Sequence, residues 1–199
     1  MIHYLKNYIF FTLATTLLYC SCSIKNEKDQ SKTFNSSVNL PSSSIYNLDI
    51  NLYDQNGKTI KWESLKGKLS VISMIFTSCK NACPMIVENL KNIQKEIHEN
   101  VTDVQFILIS FDPNDTPSHL LKFSKENGLD TNWTLLTGKE QDIRSLSMLL
   151  DITYQKVSNE NFSHSNAIII LDPLGNIIER SNNIGQNGNL IQILKKDIH

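Results

Sequence analysis

Residues 69–97 read LSVISMIFTSCKNACPMIVENLKNIQKEI, and the two halves of this stretch follow different periodicities. Residues 69–76 are almost continuously apolar, the pattern of a strand covered on both faces. From Pro84 to about Glu99, Ile86, Leu90, Ile93 and Ile97 recur at three- and four-residue intervals, which predicts a helix with one apolar stripe. Pro84 suits the first helical position, where the N–H it lacks would have no intrahelical partner. A buried strand that passes through a short loop into a helix is the first unit of an α/β domain.

Working downstream, residues 104–111 (VQFILISF) form a second buried strand, and Thr116-Pro117 opens a second helix through Leu120, Leu121 and Phe123 that ends near Gly128. Residues 139–150 read as a third helix and residues 152–157 as a short strand. Residues 167–171 (AIIIL) read as a central strand, which Asp172-Pro173-Leu174-Gly175 turns into residues 176–180. A last helix covers roughly residues 189–196. Upstream, the alternating residues 48–53 (LDINLY) meet the turn signal Asp54-Gln55-Asn56-Gly57 and return through residues 59–62, an N-terminal β-hairpin. Strand–helix–strand units with a terminal hairpin predict an α/β sandwich, a mixed central sheet flanked by helices. With a cysteine pair where the first buried strand meets its helix, the expected architecture is thioredoxin-like. A flavodoxin-like sheet is the alternative, but no phosphate-binding loop follows the first strand.

The chain has 199 residues, with 19 Lys+Arg against 20 Asp+Glu, so it offers no electrostatic case for binding nucleic acid. Its first residues stand apart. A head carrying Lys6 precedes an uncharged run over residues 8–19 (YIFFTLATTLLY), shorter than the roughly 20 residues of a spanning helix. This is the layout of a secretory signal. The run ends in Cys20-Ser21-Cys22-Ser23, where the small residue before Cys22 marks it as the expected lipid-attachment site, although Tyr19 stands where Leu is usual. An uncleaved N-terminal anchor is the alternative, and both place the rest of the chain outside the cytoplasmic membrane. We therefore expect a signal segment over residues 1–22, a polar tether over residues 23–44 and a folded domain over residues 45–199.

Of the four cysteines, two belong to that signal, which leaves Cys79 and Cys83. A disulfide across three intervening residues removes little chain entropy, so the pair is expected to serve chemistry rather than stability. Cys83 falls at or beside a helix start and Cys79 in the loop before it. The helix terminus and Lys80 are expected to lower the thiol pKa values. Two soft thiolates favour Cu(I), with zinc the chief competitor, yet a structural zinc site needs four protein ligands and no second Cys/His pair has finger spacing. A disulfide remains open at this point. His164, just before the strand at residues 167–171, can supply a third ligand if its strand neighbours that of residues 69–76, and one further donor would allow Cu(II). His3, His98, His119 and His199 read as surface residues. Asp112 and Asp115 lie after a buried strand and read as turn-forming and capping residues, with a supporting role for the site as the alternative. Met74 and Met85 read as packing.

Residues 76–84 (FTSCKNACP) resemble the signature of the SCO/SenC family, copper-binding assembly factors for cytochrome c oxidase. The resemblance extends to Asp112–Pro117 (DPNDTP), to Trp133 with Leu136-Thr137-Gly138, and to His164-Ser165 followed by Asp172-Pro173-Leu174-Gly175. It implies a thioredoxin-like fold with Cys79, Cys83 and His164 as copper ligands. It further implies delivery of copper to the dinuclear centre of oxidase subunit II or another copper-receiving membrane protein, or reduction of that subunit's cysteines before metallation. Phe76 departs from the Tyr common in the family, and residues 161–163 (NFS) replace a more acidic lead-in to the histidine. The expected role is carriage rather than that of a classical enzyme. Thiol–disulfide oxidoreductase and redox or copper sensor are the other classes. A peroxidase would need an arginine beside its cysteine, and none occurs before Arg144.

Overall fold

A computed structural model describes residues 40–97, 104–158 and 162–196. The expected signal segment with Cys22, most of the tether, and His3, His98 and His199 lie outside the described residues. No helix among the described residues is long and apolar enough to cross a membrane.

The seven-residue strand β3 (Leu69–Ile75) is buried at every position. Such a strand must have neighbours on both edges and cover on both faces. It pairs in parallel with β4 (Val104–Ser110) from Leu69↔Val104 to Ile75↔Ser110, and β4 pairs in parallel with β5 (Trp133–Thr137). On its other edge β3 runs antiparallel to β8 (Ile168–Leu171), which pairs with β9 (Ile177–Ser181). The hairpin β1 (Asn51–Asp54) and β2 (Thr59–Lys61) joins through β1 to β5, giving the order β2-β1-β5-β4-β3-β8-β9. Helices α1 (Ala82–Ile97), α2 (Pro117–Glu126), α3 (Glu140–Leu149) and α4 (Gly188–Lys196) flank this mixed sheet. A second, two-stranded sheet joins β6 (Tyr154–Lys156) to β7 (Phe162–His164). The fold is thioredoxin-like, as the order of elements predicts.

Helix α1 buries Ile86, Val87, Leu90, Ile93 and Ile97. At roughly 1.5–3 kcal/mol for each fully buried large aliphatic side chain, this stripe fixes the helix against the sheet more firmly than helix propensity could. Thr116 caps α2, its hydroxyl accepting the N–H of His119, and Pro117 occupies the first turn.

The structure adds elements that the periodicities do not show. β5 (WTLLT) is a strand of five residues sitting between β1 and β4. Trp62, expected to extend the hairpin, instead begins a 3-10 turn over Trp62–Leu65, fully buried, with Nε1 donating to the Ile45 carbonyl at 2.9 Å. Residues 40–44, expected in the tether, already pack on the domain. Leu40 lies against the core, Ser44 is buried, and the Ser44 hydroxyl donates to the Leu174 carbonyl at 2.5 Å.

Antiparallel pairing of β3 and β8 decides where the functional loops meet. Ser73 lies opposite Ile168, so the end of β3 adjoins the start of β8. The buried Ser73 hydroxyl donates to the Ala167 carbonyl at 2.8 Å and pins the two ends together. Parallel β4 ends at the same end of the sheet, where the Phe111 N–H donates to the Ile75 carbonyl at 3.0 Å. The loops after β3 and β4 and the segment before β8 therefore converge at one end of the sheet.

Candidate metal centre

Ligand atoms of Cys79, Cys83 and His164 lie within 4.8 Å of one another, and no other group of three or more His, Cys, Asp or Glu residues with such spacing occurs among the described residues. The three expected ligands, separated by up to 85 positions in the chain, are brought together. Each reaches the site from a different kind of support. Cys83 projects from the first turn of α1 and is fully buried. Cys79 is half-buried on the loop before it, with its N–H bonded to the Phe76 carbonyl at 3.2 Å. Its sulfur accepts the Cys83 N–H at 3.4 Å, so one unpaired donor of the helix start is satisfied by the other cysteine's side chain.

His164 ends β7 and faces Tyr154 across the β6–β7 hairpin. Its Nδ1 lies 3.1 Å from the Ser165 carbonyl. A carbonyl can only accept, so this contact places the proton on Nδ1 and leaves the Nε2 lone pair free for a metal. Behind the ring stands an aromatic wall. Phe76 meets it edge-on at 6.0 Å between centroids, and Phe111 lies at 5.2 Å. Tyr154 stacks on Phe111 at 4.8 Å, and Phe162 packs on both Phe76 and Phe111. This wall is not among the expectations from sequence. Strand alternation held the signal for part of it, since Phe162 and His164 are two residues apart and share a face of the hairpin.

One expectation is reversed for Cys83. The helix terminus and Lys80 were expected to lower the thiol pKa values, but burial pushes the Cys83 thiol up, and its bond to the Phe76 backbone does not offset this. Charge and hydrogen bonding from Cys79, together with the charge of Asp115, push in the same direction as burial. Cys83 lies inside the helix against the core rather than at an exposed cap, so desolvation dominates. Lys80 is exposed.

The two acidic residues separate in role. Asp112 forms the expected turn, its Oδ1 accepting the Asn114 N–H at 2.9 Å. Asp115 is not the helix cap, a place taken by Thr116. Its buried carboxylate instead accepts from Thr77, which opens the cysteine loop, and from Ser110. His119 is exposed as expected, although it lines a cleft of ≈ 850 Å³ together with Cys79, Asp112, Asp115, Lys122 and His164. Met74 is buried as expected, whereas Met85 is 59% exposed and packs no core.

Two thiol sulfurs and one imidazole form a soft, three-donor set that suits Cu(I). A closed structural zinc site would need a fourth protein ligand, and the clustered group offers three. The set opens on the cleft through the half-buried Cys79, so a bound ion would remain within reach of an incoming ligand.

A thioredoxin-like fold with two cysteines and a histidine converging beyond its central strand defines a class of thiol- and metal-binding proteins. Within that class the chain belongs to the SCO1/SenC family, whose model matches residues 41–199. It is 30% identical over 136 residues to the SCO1 protein homolog of Bacillus subtilis, covering 66% of this chain and 70% of that protein. Among solved structures, a SCO1/SenC family lipoprotein from Bacillus anthracis superposes with a TM-score of 0.69 at 30% identity, covering 77% of this chain and 96% of that one. ScoI of Arabidopsis thaliana, solved with copper bound, superposes with a TM-score of 0.67 at 26% identity, over 75% of this chain and 95% of that one.

Proposed function

We propose that this protein carries one copper ion on Cys79, Cys83 and His164. It does so outside the cytoplasmic membrane, held by a lipid on Cys22. It then passes the ion to the dinuclear copper centre of cytochrome c oxidase subunit II or to another copper-receiving membrane protein. The observation that carries the copper reading is the convergence of two sulfurs and one ring nitrogen within 4.8 Å. Copper in the similar ScoI structure supports the choice of metal. Cu(I) suits the three donors as they stand, and one added donor would accommodate Cu(II). The anchor is supported by the N-terminal sequence and by likeness to a lipoprotein, and the recipient by the family motifs.

Ligand exchange follows from the asymmetry of the site. Cys83 is locked in the helix, whereas Cys79 faces the cleft, so an incoming donor can bind the ion before Cys79 releases it. The test is Cu(I) titration followed by mixing with the metal-free copper domain of a subunit II. One copper bound and then transferred is the expected result; zinc preference, or copper retained in the presence of the acceptor, would contradict it.

The half-buried Cys79 beside the buried Cys83 also favours a second reading. In it the Cys79 thiolate attacks a partner disulfide and Cys83 displaces the partner, which leaves as a dithiol while Cys79 and Cys83 form a disulfide. His164→Ala separates the two readings, since reduction survives without the histidine and copper transfer does not.

A further inference from the structure

Of the three converging ligands, Cys79 alone sits on a loop; Cys83 is fixed by α1 and His164 by the β6–β7 hairpin. Ser78, Lys80 and Asn81 around it are exposed. The tie that holds this loop comes from Asp115, which is only 8% exposed. One Asp115 carboxylate oxygen accepts the Thr77 hydroxyl at 2.5 Å, and the other accepts the Thr77 backbone N–H at 2.9 Å and the Ser110 hydroxyl at 2.5 Å. The Asp115 carbonyl in turn accepts the Thr137 hydroxyl at 3.1 Å. Through its carboxylate Asp115 bonds the end of β4 to the residue two places before Cys79, and through its backbone carbonyl it bonds the end of β5. The His119 ring nitrogen Nδ1 stands 3.9 Å from the Asp115 carboxylate. Hydrogen bonds to a charged acceptor are about twice as strong as neutral ones, so three of them converging on a buried carboxylate make a stiff joint.

We propose that Asp115 is a positioning residue for the metal centre. Through Thr77 it fixes the backbone from which Cys79 projects, so that the sulfur meets Cys83 and His164 without ordering the loop at each binding event. A ligand on an untethered loop would lose affinity to the ordering of that loop. The inference deepens the proposed function and rests on it for the identity of the metal.

The test uses the full chain in detergent, reduced and kept anaerobic, as wild type, Thr77→Val, Thr77→Ser and Asp115→Asn. Cu(I) affinity is measured by competition with a chromophoric chelator. The rate at which iodoacetamide alkylates Cys79 is measured separately in metal-free protein. Thr77→Val and Asp115→Asn should lower Cu(I) affinity by roughly 10–100-fold, the scale on which outer-shell partners act. Both should also alter the alkylation rate, while Thr77→Ser restores the hydroxyl and wild-type behaviour in both assays. Thr77→Val is nearly isosteric and leaves the Asp115–Ser110 bond in place, so it carries the test even if Asp115→Asn does not fold. Alkylation rates in Thr77→Val indistinguishable from wild type would overturn the inference, as would undiminished Cu(I) affinity. A wild-type chain that binds no Cu(I) would refute the copper reading alone, and the alkylation rates would still decide whether Asp115 holds the loop.

Discussion

His164 is the residue on which the choice between copper carriage and plain dithiol chemistry turns. Its ring is oriented by the Ser165 carbonyl on one nitrogen and by packing against Phe76 and Phe111, and a ring nitrogen lies within 4.8 Å of both thiol sulfurs. In the proposed centre, removing it deletes a ligand rather than an orienting partner. His164→Ala should therefore weaken Cu(I) binding by more than the roughly 10–100-fold that loss of an outer-shell hydrogen bond costs. Chelator competition measures this directly, and an unchanged affinity would remove His164 from the centre. The three clustered residues were legible in the sequence as candidate ligands because their chemistry is distinctive: paired cysteines before a helix Pro and a histidine before an apolar strand. The environment that sets their protonation was not. Whether Cys83 lies at an exposed cap or inside the helix depends on a shift of the helix start by two residues, and periodicity does not resolve helix starts that finely.

At the scale of elements, the β6–β7 hairpin holds the histidine by side-chain packing more than by its short ladder. Phe162 lies on Phe76 at 5.1 Å and on Phe111 at 5.3 Å. Phe162→Ala should lower stability by about 2 kcal/mol, less than a fully buried Phe would cost. It should also weaken copper binding, because the hairpin end that carries His164 loses its seat; chemical denaturation and copper titration of one preparation would show both effects. At the far end of β8 the turn 172–175 has a purely structural task. Gly175 has φ +85°, and a Cβ there would stand 2.4 Å from the Tyr46 ring and 2.6 Å from the Ser44 hydroxyl. Gly175→Ala should cost roughly 1–3 kcal/mol, measurable by urea denaturation, and leave copper stoichiometry unchanged. The turn itself was readable from its Asp, Pro and Gly. Its partners Ser44 and Tyr46 were not, since they lie about 130 positions away and no local pattern joins them. β5 escaped for a related reason. Its five residues make a strand only because β1 and β4 flank them.

At the scale of the molecule, two of the buried acids among the described residues, Cys83 and Tyr46, lower stability at alkaline pH. Burial raises the Cys83 thiol above its ordinary 9.0 and the Tyr46 phenol from 10.0 to about 12, with the hydrogen bond to Ser70 opposing the second shift. In each case the folded chain keeps a proton that the unfolded chain releases. The stabilisation is therefore complete below the unfolded value and is lost as pH rises towards the folded one. The reduced, metal-free protein should hold constant stability up to about pH 9 and then weaken, first through Cys83 and beyond pH 10 through Tyr46. Denaturation midpoints across that range test this, and Cys83→Ala should remove the first decline. Stability that rose with pH there would contradict the burial of both groups.

The sheet order brings one loop from β3 and one segment before β8 to the same end of the fold, and the central claim is that this junction is a single copper site. Copper K-edge X-ray absorption on the reduced, copper-loaded protein reads the ligands most directly. One copper with a first shell of two sulfurs and one imidazole nitrogen is expected, with loss of the imidazole scattering in His164→Ala. A shell lacking sulfur, or an imidazole signal that persists in that variant, would contradict it.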